Sequence, residues 1–383
     1  MRMNRRAFCR AAYIAAAAAV IFVGAAGAAC AGAASPGATD SARPLKGEWD
    51  FAPAAVWSID RAGADTLMRP GEPRVSRDGK LYFHDFDRHL SYIVGEKGEL
   101  LGTFAGMGDG PGLVSRYVNC FTSDGRVIVG SMDKLHFFDP DGRFISSAPN
   151  NIFESFPLVF TSDDVFFTAP GALANLPGGK ASIRKVNVTS GEAKPIHEFT
   201  MGADEQISFG GVILGVIPQI DMAYDSKGGR LYFARNDRYE ILVSDLDGKM
   251  IGSFGLPKER IPVTEEDLKR HMAGAGIPAD RVEKIVPMLP RKLTYFHRIQ
   301  VIDGLVYVFT VDAFEPAIGK QCVDIFSPDG TYLYRGKIVL PEGDRYKNLD
   351  SMVLSNGFLH AILADDDGGR RVAKYKVSMP PGQ

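Results

Sequence analysis

The sequence predicts an all-β fold in which six four-stranded sheets close into a ring, the architecture of a six-bladed β-propeller. Two observations lead to this prediction. A four-strand pattern recurs six times at a period of about 40–50 residues plus insertions, and the last copy lacks a strand that the start of the chain can supply. The composition agrees, because 383 residues with 45% hydrophobic side chains and 42 glycines are typical of a globular protein with many turns.

The clearest copy of the pattern spans 73–104 and reads as the four strands PRVS, KLYFH, LSYIV and ELLGTF. Apolar and polar residues alternate along these strands. The turns at Asp78-Gly79 and Lys97-Gly98 place glycine where a positive φ is expected. A single sheet of this kind cannot bury both of its faces, so the chain must provide neighbouring sheets.

Five further copies follow. The second, fourth and fifth repeat the Asp-Gly turns, whereas the third is looser and includes a long loop. The sixth copy ends soon after AKYKV and lacks its fourth strand. We expect AAVWSIDR (54–61), which precedes the first copy, to be the outer strand of the last blade. That pairing would close the ring and remove exposed sheet edges.

The turn sequences FDPDGRF, SDLDGKM and FSPDGTY, with GTFAGMGDGPG (102–112) after the first copy, resemble those of NHL-type six-bladed propellers of bacterial envelope proteins. The resemblance covers 50–378, which we take as the propeller domain, followed by a tail at 379–383. It implies the fold and an envelope location, and it says little about function. The third copy departs from the family pattern.

A segment at 263–288 interrupts the repeat after the fourth copy and predicts two helices. Thr264 stands three residues before Asp267, in the pattern of an N-terminal cap. Gly274 is expected to end the first helix, and Pro278 to begin a second that ends before the next proline. The insertion is too short for a core of its own, so we expect it to cap the propeller rim.

The N-terminus has the layout of an export signal, with a basic start and an Ala-rich apolar stretch over 1–29. NRRAF (4–8) resembles a twin-arginine motif. AAC (28–30) resembles the end of a lipobox, although Gly27 replaces the usual larger aliphatic residue. We expect lipidation of Cys30; cleavage at a nearby Ala-x-Ala site and an uncleaved membrane anchor are the alternatives. Residues 30–49 are then a flexible tether.

This layout predicts a protein of the bacterial cell envelope, in the periplasm or at the outer surface, which is attached to the membrane by a lipid. Removal of 1–29 takes away four arginines and no acidic residue, which leaves a net charge of −6. A nucleic-acid partner needs a dense basic surface, so we expect none. We expect a monomer.

The predicted binding site lies on the face where two kinds of loop open around the central channel: those between blades, and those from the second to the third strand of a blade. Guanidinium groups bind carboxylates through two hydrogen bonds, and a phenol offers a ring face and a hydroxyl, so an acidic or glycan-like ligand is expected. The alternative is that each arginine braces a neighbouring Asp. The predicted ligand-binding residues are Arg116, Tyr117, Arg235, Asp237, Arg238 and His297.

The sequence contains no nucleophile elbow, HExxH motif or phosphate-binding loop. We therefore predict a non-enzymatic propeller, without a cofactor or catalytic residues, that holds an envelope protein, a peptide or a glycan. The alternative is a metal-dependent enzyme, as among the lactonase or amidating-lyase relatives of six-bladed propellers. Asn119, His297 and Asp350 are candidate donors for such a metal but not a complete set, so we predict no metal site. Cys120 and Cys322 are expected to be buried apolar fillers.

Overall fold

The repeated strand–turn pattern forms six antiparallel sheets, which are the blades of a six-bladed propeller. The predicted fold class is therefore confirmed. The structure is a computed structural model. It describes residues 42–114, 117–122, 125–131, 134–149, 155–162, 164–170, 180–200, 215–274, 277–313, 319–347, 351–365 and 368–381.

Four short strands precede blade one: β1 (Glu48–Asp50), β2 (Ala54–Ile59), β3 (Arg61–Ala62) and β4 (Asp65–Thr66). The strands of blades one to three are β5 (Arg74–Val75), β6 (Leu81–Asp85), β7 (Leu90–Val94), β8 (Leu100–Phe104), β9 (Tyr117–Thr122), β10 (Val127–Ser131), β11 (Lys134–Phe138), β12 (Phe144–Pro149), β13 (Ser155–Ser162), β14 (Val165–Pro170), β15 (Lys180–Asn187) and β16 (Ala193–Thr200).

Blades four to six contain eleven strands that follow one another along the chain, and β2 completes blade six. These strands are β17 (Ile220–Asp225), β18 (Arg230–Arg235), β19 (Glu240–Asp245), β20 (Met250–Gly255), β21 (Phe296–Ile302), β22 (Leu305–Thr310), β23 (Lys320–Phe326), β24 (Tyr332–Val339), β25 (Met352–Ser355), β26 (Phe358–Ala364) and β27 (Arg370–Lys376).

The ring closes as predicted, because β2 pairs antiparallel with β27 and becomes the outer strand of blade six. The register runs from Ala54 opposite Lys376 to Ile59 opposite Val372. Buried apolar side chains fill the space between blades six and one, where Val372 packs with Leu81 and Phe83. Among the described residues, each of the other five blade interfaces has a buried apolar cluster as well.

The N-terminal segment joins the propeller earlier than the sequence indicated. The tether was expected to extend to residue 49, but β1 pairs parallel with β24 as a fifth strand of blade five. Phe51 follows β1 and is fully buried. Its N–H donates to the Lys337 carbonyl of blade five at 3.0 Å, and its carbonyl accepts from Ser378 after blade six at 2.8 Å. The buried phenyl ring fixes this part of the predicted tether.

The insertion forms two helices, α1 (Glu265–Gly274) and α2 (Ala279–Ile285). The predicted cap is present, because the Thr264 hydroxyl donates to an Asp267 carboxylate oxygen at 2.7 Å and accepts from the Asp267 N–H at 3.1 Å. The second helix ends at Ile285, before Pro287, as predicted. A 3₁₀ turn continues over Val286–Met288, where proline is tolerated because its position needs no N–H donor.

The helices share one buried apolar cluster with loop residues of blades four and five. Leu268 and Val282 of the helices pack with Ile217, which lies just before β17, and with Val311, which follows β22. Both loop residues lie on the side of the ring where the inter-blade loops open. We call this side the mouth face. The insertion therefore caps the mouth face at blades four and five.

We predict that Phe51→Ala destabilises the propeller by about 3–5 kcal/mol, the usual cost of emptying a site for a buried phenyl ring. The ring lies over Gly336, where an added Cβ would come within 2.6 Å of it, so the site cannot collapse without moving both blades. Urea unfolding followed by tryptophan fluorescence measures the change. Val56→Ala, at a residue 49% exposed on β2, is the control and should unfold like the unchanged protein. Equal stability of the two variants would contradict this role of Phe51.

Candidate functional site

Arg235 and Asp237 form a buried ion pair at the end of β18. The Arg235 Nε and Nη2 atoms lie 3.1 and 2.7 Å from the two Asp237 carboxylate oxygens. The third nitrogen, Nη1, donates to the Thr200 carbonyl of blade three at 3.0 Å. The Arg235 side chain is only 1% exposed. This is the geometry of a brace between blades three and four, and a ligand-binding role for the pair stays a prediction.

Arg238 differs from Arg235 because its side chain is exposed and makes no ion pair with any residue that the structure describes. Its turn contacts the start of blade five, where the Tyr295 N–H donates to the Asn236 carbonyl at 2.7 Å. His297 lies two residues further on. Its imidazole is buried, with Nε2 at 3.3 Å from Gln321 Oε1. The structure therefore brings four of the predicted residues to the mouth face of blades four and five.

Other predicted residues cannot be placed in the same way. Arg116, Cys30 and Asp350 lie outside the described residues. Tyr117 and Asn119 belong to β9, the inner strand of blade two, but their side chains are outside the description. The roles proposed for these five residues stay predictions.

Three charged side chains that sequence reasoning did not select meet at the channel entrance: Glu72, Arg74 and Arg298. We call them the channel ion cluster. One Glu72 carboxylate oxygen lies 2.8 Å from Arg74 Nη2, and the other accepts from Arg298 Nη2. Arg298 Nη1 donates to the Met352 carbonyl. Arg298 thus extends from the inner strand of blade five, past blade six, to an acidic residue of blade one.

Polar contacts continue around the channel on the neighbouring inner strands. Asp221 of blade four accepts from the Ile299 N–H of blade five. Gln300 of blade five accepts from the Leu354 N–H of blade six at 3.3 Å. The cluster side chains are 11–24% exposed, so water and solutes reach them. The channel entrance is therefore lined by polar groups that connect blades four, five, six and one.

A further cation lies where blade six meets blade one. The half-buried Lys347 ammonium donates to the Pro70 carbonyl at 3.0 Å. Burial lowers the pKa of Lys347, and the positive charges of Arg370 and Arg69 lower it further, whereas Asp85 and Asp87 act in the opposite direction. Cationic and acidic side chains therefore both lie near Lys347 at this part of the mouth face.

Lys258, a loop charge of the mouth face, is already engaged in a buried network around Asp324. Lys258 Nζ and the Tyr239 hydroxyl each lie 2.5 Å from one Asp324 oxygen, and the Tyr332 hydroxyl lies 2.7 Å from the other. Burial and the Asp324 charge raise the pKa of Tyr239 well above its ordinary value, so the phenol stays protonated and donates. Arg335 completes the network at 3.2 Å. These groups join blades four and five.

Cys322 is a free, half-buried thiol rather than the buried apolar filler that was expected. Burial raises its pKa to about 11, and a hydrogen bond to Asp312 acts in the same direction. The thiol is therefore protonated at neutral pH and is a poor nucleophile. The Cys120 side chain is outside the description.

In the part of the chain that the structure describes, no three His, Cys, Asp or Glu side chains come together, so no set of donors for a metal ion is found there. Two of the three candidate donors, Asn119 and Asp350, lack a described side chain. The metal-dependent enzyme therefore stays a prediction. Among the same residues, no helix is long and apolar enough to cross a membrane.

The fold and the site together define a six-bladed β-propeller with an ion-paired channel entrance. No family model matches the sequence, and no curated protein matches it. A crystal structure of a DUF4221 family member from Bacteroides vulgatus has a similar fold, with a TM-score of 0.56 and 12% identity over 86% of this chain and 98% of that one. At this identity the similarity shows the fold alone, and the NHL type stays a resemblance.

Two solved structures of enzymes also align with the chain. Virginiamycin B lyase from Staphylococcus aureus aligns with a TM-score of 0.44 and 10% identity, over 83% of this chain and 98% of that one. A gluconolactonase from Xanthomonas campestris aligns with a TM-score of 0.42 and 11% identity, over 85% and 87% of the two chains.

We predict that Arg235→Ala destabilises the protein by about 3–5 kcal/mol, because it leaves the Asp237 carboxylate buried without its partner. Arg238→Ala is the matched control. Its guanidinium is exposed, so we expect a change within about 0.5 kcal/mol. Urea unfolding of both variants measures the difference. A loss of stability that is equal in the two variants would show that Arg235 is not the brace described above.

Proposed function

We propose that this protein is an exported binding propeller of the bacterial cell envelope, attached through a lipid on Cys30, which holds a protein, peptide or glycan that carries acidic groups. The ligand binds at the mouth face, around the channel ion cluster. The proposed recognition is electrostatic and non-enzymatic. It is carried by one observation, the two guanidinium groups that meet in the channel ion cluster.

Cationic side chains lie at several places on the mouth face. In the channel ion cluster, one carboxylate, Glu72, lies between two guanidinium groups. Lys347 and Arg370 lie beside it at the junction of blades six and one, and Arg238 is exposed at blade four. An acidic group that enters the mouth gains charge-assisted hydrogen bonds to guanidinium groups.

The Glu72–Arg74 pair is accessible enough to exchange partners. Its side chains are 18% and 24% exposed, so a ligand group can reach them. A ligand carboxylate competes with Glu72 as an acceptor for Arg74. Arg298 keeps its bond to the Met352 carbonyl during such an exchange. The blades would therefore stay in place while the ligand binds.

The N-terminal segment joins the propeller away from this site. The Leu45 N–H donates to the Tyr332 carbonyl at 2.9 Å, beside the Asp329-Gly330 turn between β23 and β24. Turns between the third and fourth strands of a blade open on the face opposite the mouth. The described chain therefore enters the fold on the face opposite the mouth, which supports a binding role for an anchored protein.

Affinity capture from a solubilised envelope extract tests the proposed binding. We expect the immobilised protein to retain a defined set of components, and Arg238→Ala and Arg74→Ala each to weaken their capture, since a lost charge-assisted hydrogen bond costs roughly 1–3 kcal/mol. Arg77→Ala is the matched control, because Arg77 is exposed on a blade-one turn of the opposite face. Higher salt should weaken capture by the unchanged protein.

Two results of the capture experiment would contradict the proposed binding. If the mouth variants and the control retain the same components in the same amounts, the mouth face is not the binding surface. If the captured components are insensitive to salt, recognition is not electrostatic. Quantitative mass spectrometry of the eluates distinguishes both results from the expected one.

The lipid anchor has its own test, which is Cys30→Ser followed by cell fractionation. We expect the protein to move from the membrane fraction to the soluble exported fraction, because a thioether-linked lipid requires the cysteine sulfur. Cys322→Ser is the control, since that thiol is half-buried in the propeller. Unchanged membrane association of Cys30→Ser would contradict lipidation and favour a retained N-terminal helix.

A further inference from the structure

A cleft separate from the channel lies on the rim between blades one and two. Its volume is about 330 Å³, and the glycine-rich segment 108–113 forms one wall. Lys134 and His136 of β11, together with Phe144 and Ser147 of β12, form the other. The segment 108–113 connects two blades, and Lys134 follows a loop from a second to a third strand. The Lys134 end of the cleft therefore lies towards the mouth face, whereas Phe144, which follows the turn between β11 and β12, lies towards the opposite face.

Backbone contacts give the glycine wall a defined shape. The Gly108 N–H donates to the Val114 carbonyl at 3.1 Å, and the Leu113 N–H donates to the Gly110 carbonyl at 3.0 Å. Gly112 has a φ of +74°, and a Cβ at this residue would lie 2.9 Å from the Phe144 Cβ. Only glycine allows this close approach of the loop to the ring. The cleft is thus formed before any ligand binds.

The polar groups of the cleft include a positive and a negative charge, and both donors and acceptors of hydrogen bonds. Lys134 provides a donor and a positive charge, and Asp109 provides acceptors and a negative charge. The Ser147 hydroxyl does both. These two charges cancel, so the cleft offers no net attraction to an anion or to a cation. A neutral molecule with several hydroxyl groups uses all of these groups, because each hydroxyl both donates and accepts.

The apolar part of the cleft is the Phe144 ring, which is 37% exposed. It makes an edge contact with Phe138 at 5.9 Å between ring centroids, which holds its orientation. The negatively charged face of an aromatic ring attracts the C–H groups of a saturated ring that stacks on it. A volume near 300 Å³ is the lower limit of small-molecule sites and suits a single ring.

We propose that this rim cleft is a second binding site, independent of the channel ion cluster, which takes one neutral sugar ring of a glycan. The sugar stacks on Phe144, and its hydroxyl groups bond to Lys134, Asp109 and Ser147. The channel entrance selects acidic groups, whereas the rim cleft selects an uncharged polyhydroxylated ring.

Saturation-transfer NMR tests the rim cleft with defined probes. These are the methyl glycosides of glucose, galactose, mannose and N-acetylglucosamine, with glucuronate and glucosamine as charged counterparts. We expect at least one neutral glycoside to bind and both charged sugars to bind more weakly. Phe144→Ser should weaken that binding about tenfold, as expected for the loss of a stacked aromatic ring.

Ile145→Ser is the matched control, because Ile145 is the next residue of the same strand, is 48% exposed and does not line the cleft. It should bind like the unchanged protein. Lys134→Met is a second cleft variant and should also weaken binding. Circular dichroism confirms that the variants are folded. The proposal is overturned if no neutral glycoside binds, if a charged sugar binds best, or if Phe144→Ser and Ile145→Ser behave alike.

Arg74→Ala distinguishes the two sites. It removes a side chain of the channel ion cluster and leaves the rim cleft intact, so neutral glycosides should bind this variant as they bind the unchanged protein. A loss of glycoside binding in Arg74→Ala would place the sugar at the channel and overturn the assignment to the rim cleft.

Discussion

Closure of the ring by the pairing of β2 with β27 is the interaction on which the rest of the structure depends. The two strands come from opposite ends of the propeller sequence, and their backbone hydrogen bonds hold blade six against blade one. Without them the interface that contains Val372 and Leu81 would open to water. Closure also brings Glu72 of blade one within reach of Arg298 of blade five. The channel entrance is therefore a consequence of closure.

Closure is strengthened by contacts on both sides of β2. Phe51 bonds to blade five and to the segment after blade six, so the chain is held before β2 begins. Lys347 bonds to the Pro70 carbonyl across the same junction, on the mouth face. The cations of the mouth thus have a structural use as well as a proposed binding use. The structural use and the binding use are compatible, because a rigid ring keeps charged groups in place for a ligand.

The blades could be predicted from the sequence because each strand has a local signal. Asp-Gly turns and alternating apolar residues determine strand and turn positions without knowledge of the partner. The missing fourth strand of the last copy was equally informative, since a propeller needs every blade complete. β1 could not be predicted in this way. A strand of three residues has no periodicity, and it forms only because the edge of β24 is free and Phe51 fits over Gly336.

The site was harder to predict than the fold. Reasoning from loop positions selected Arg235, whose side chain forms a buried ion pair with Asp237. It overlooked Arg298, which lies on the inner strand β21 next to His297. The useful signal was an arginine on the inner strand of a blade, next to the channel. The pairing of Arg298 with Glu72 joins residues far apart in the sequence, so only the closed ring reveals it. The rim cleft likewise requires the packing of two blades.

Native-state hydrogen exchange with increasing denaturant tests the central role of ring closure most directly. If the ring opens only when the whole propeller unfolds, the hydrogen-bonded amides of β2 and β27 exchange with the same free energy and denaturant dependence as the slowest amides of β22 and β26. The account would be contradicted if the β2 amides exchanged with a much lower free energy and with little dependence on denaturant while the amides of the other blades stayed protected.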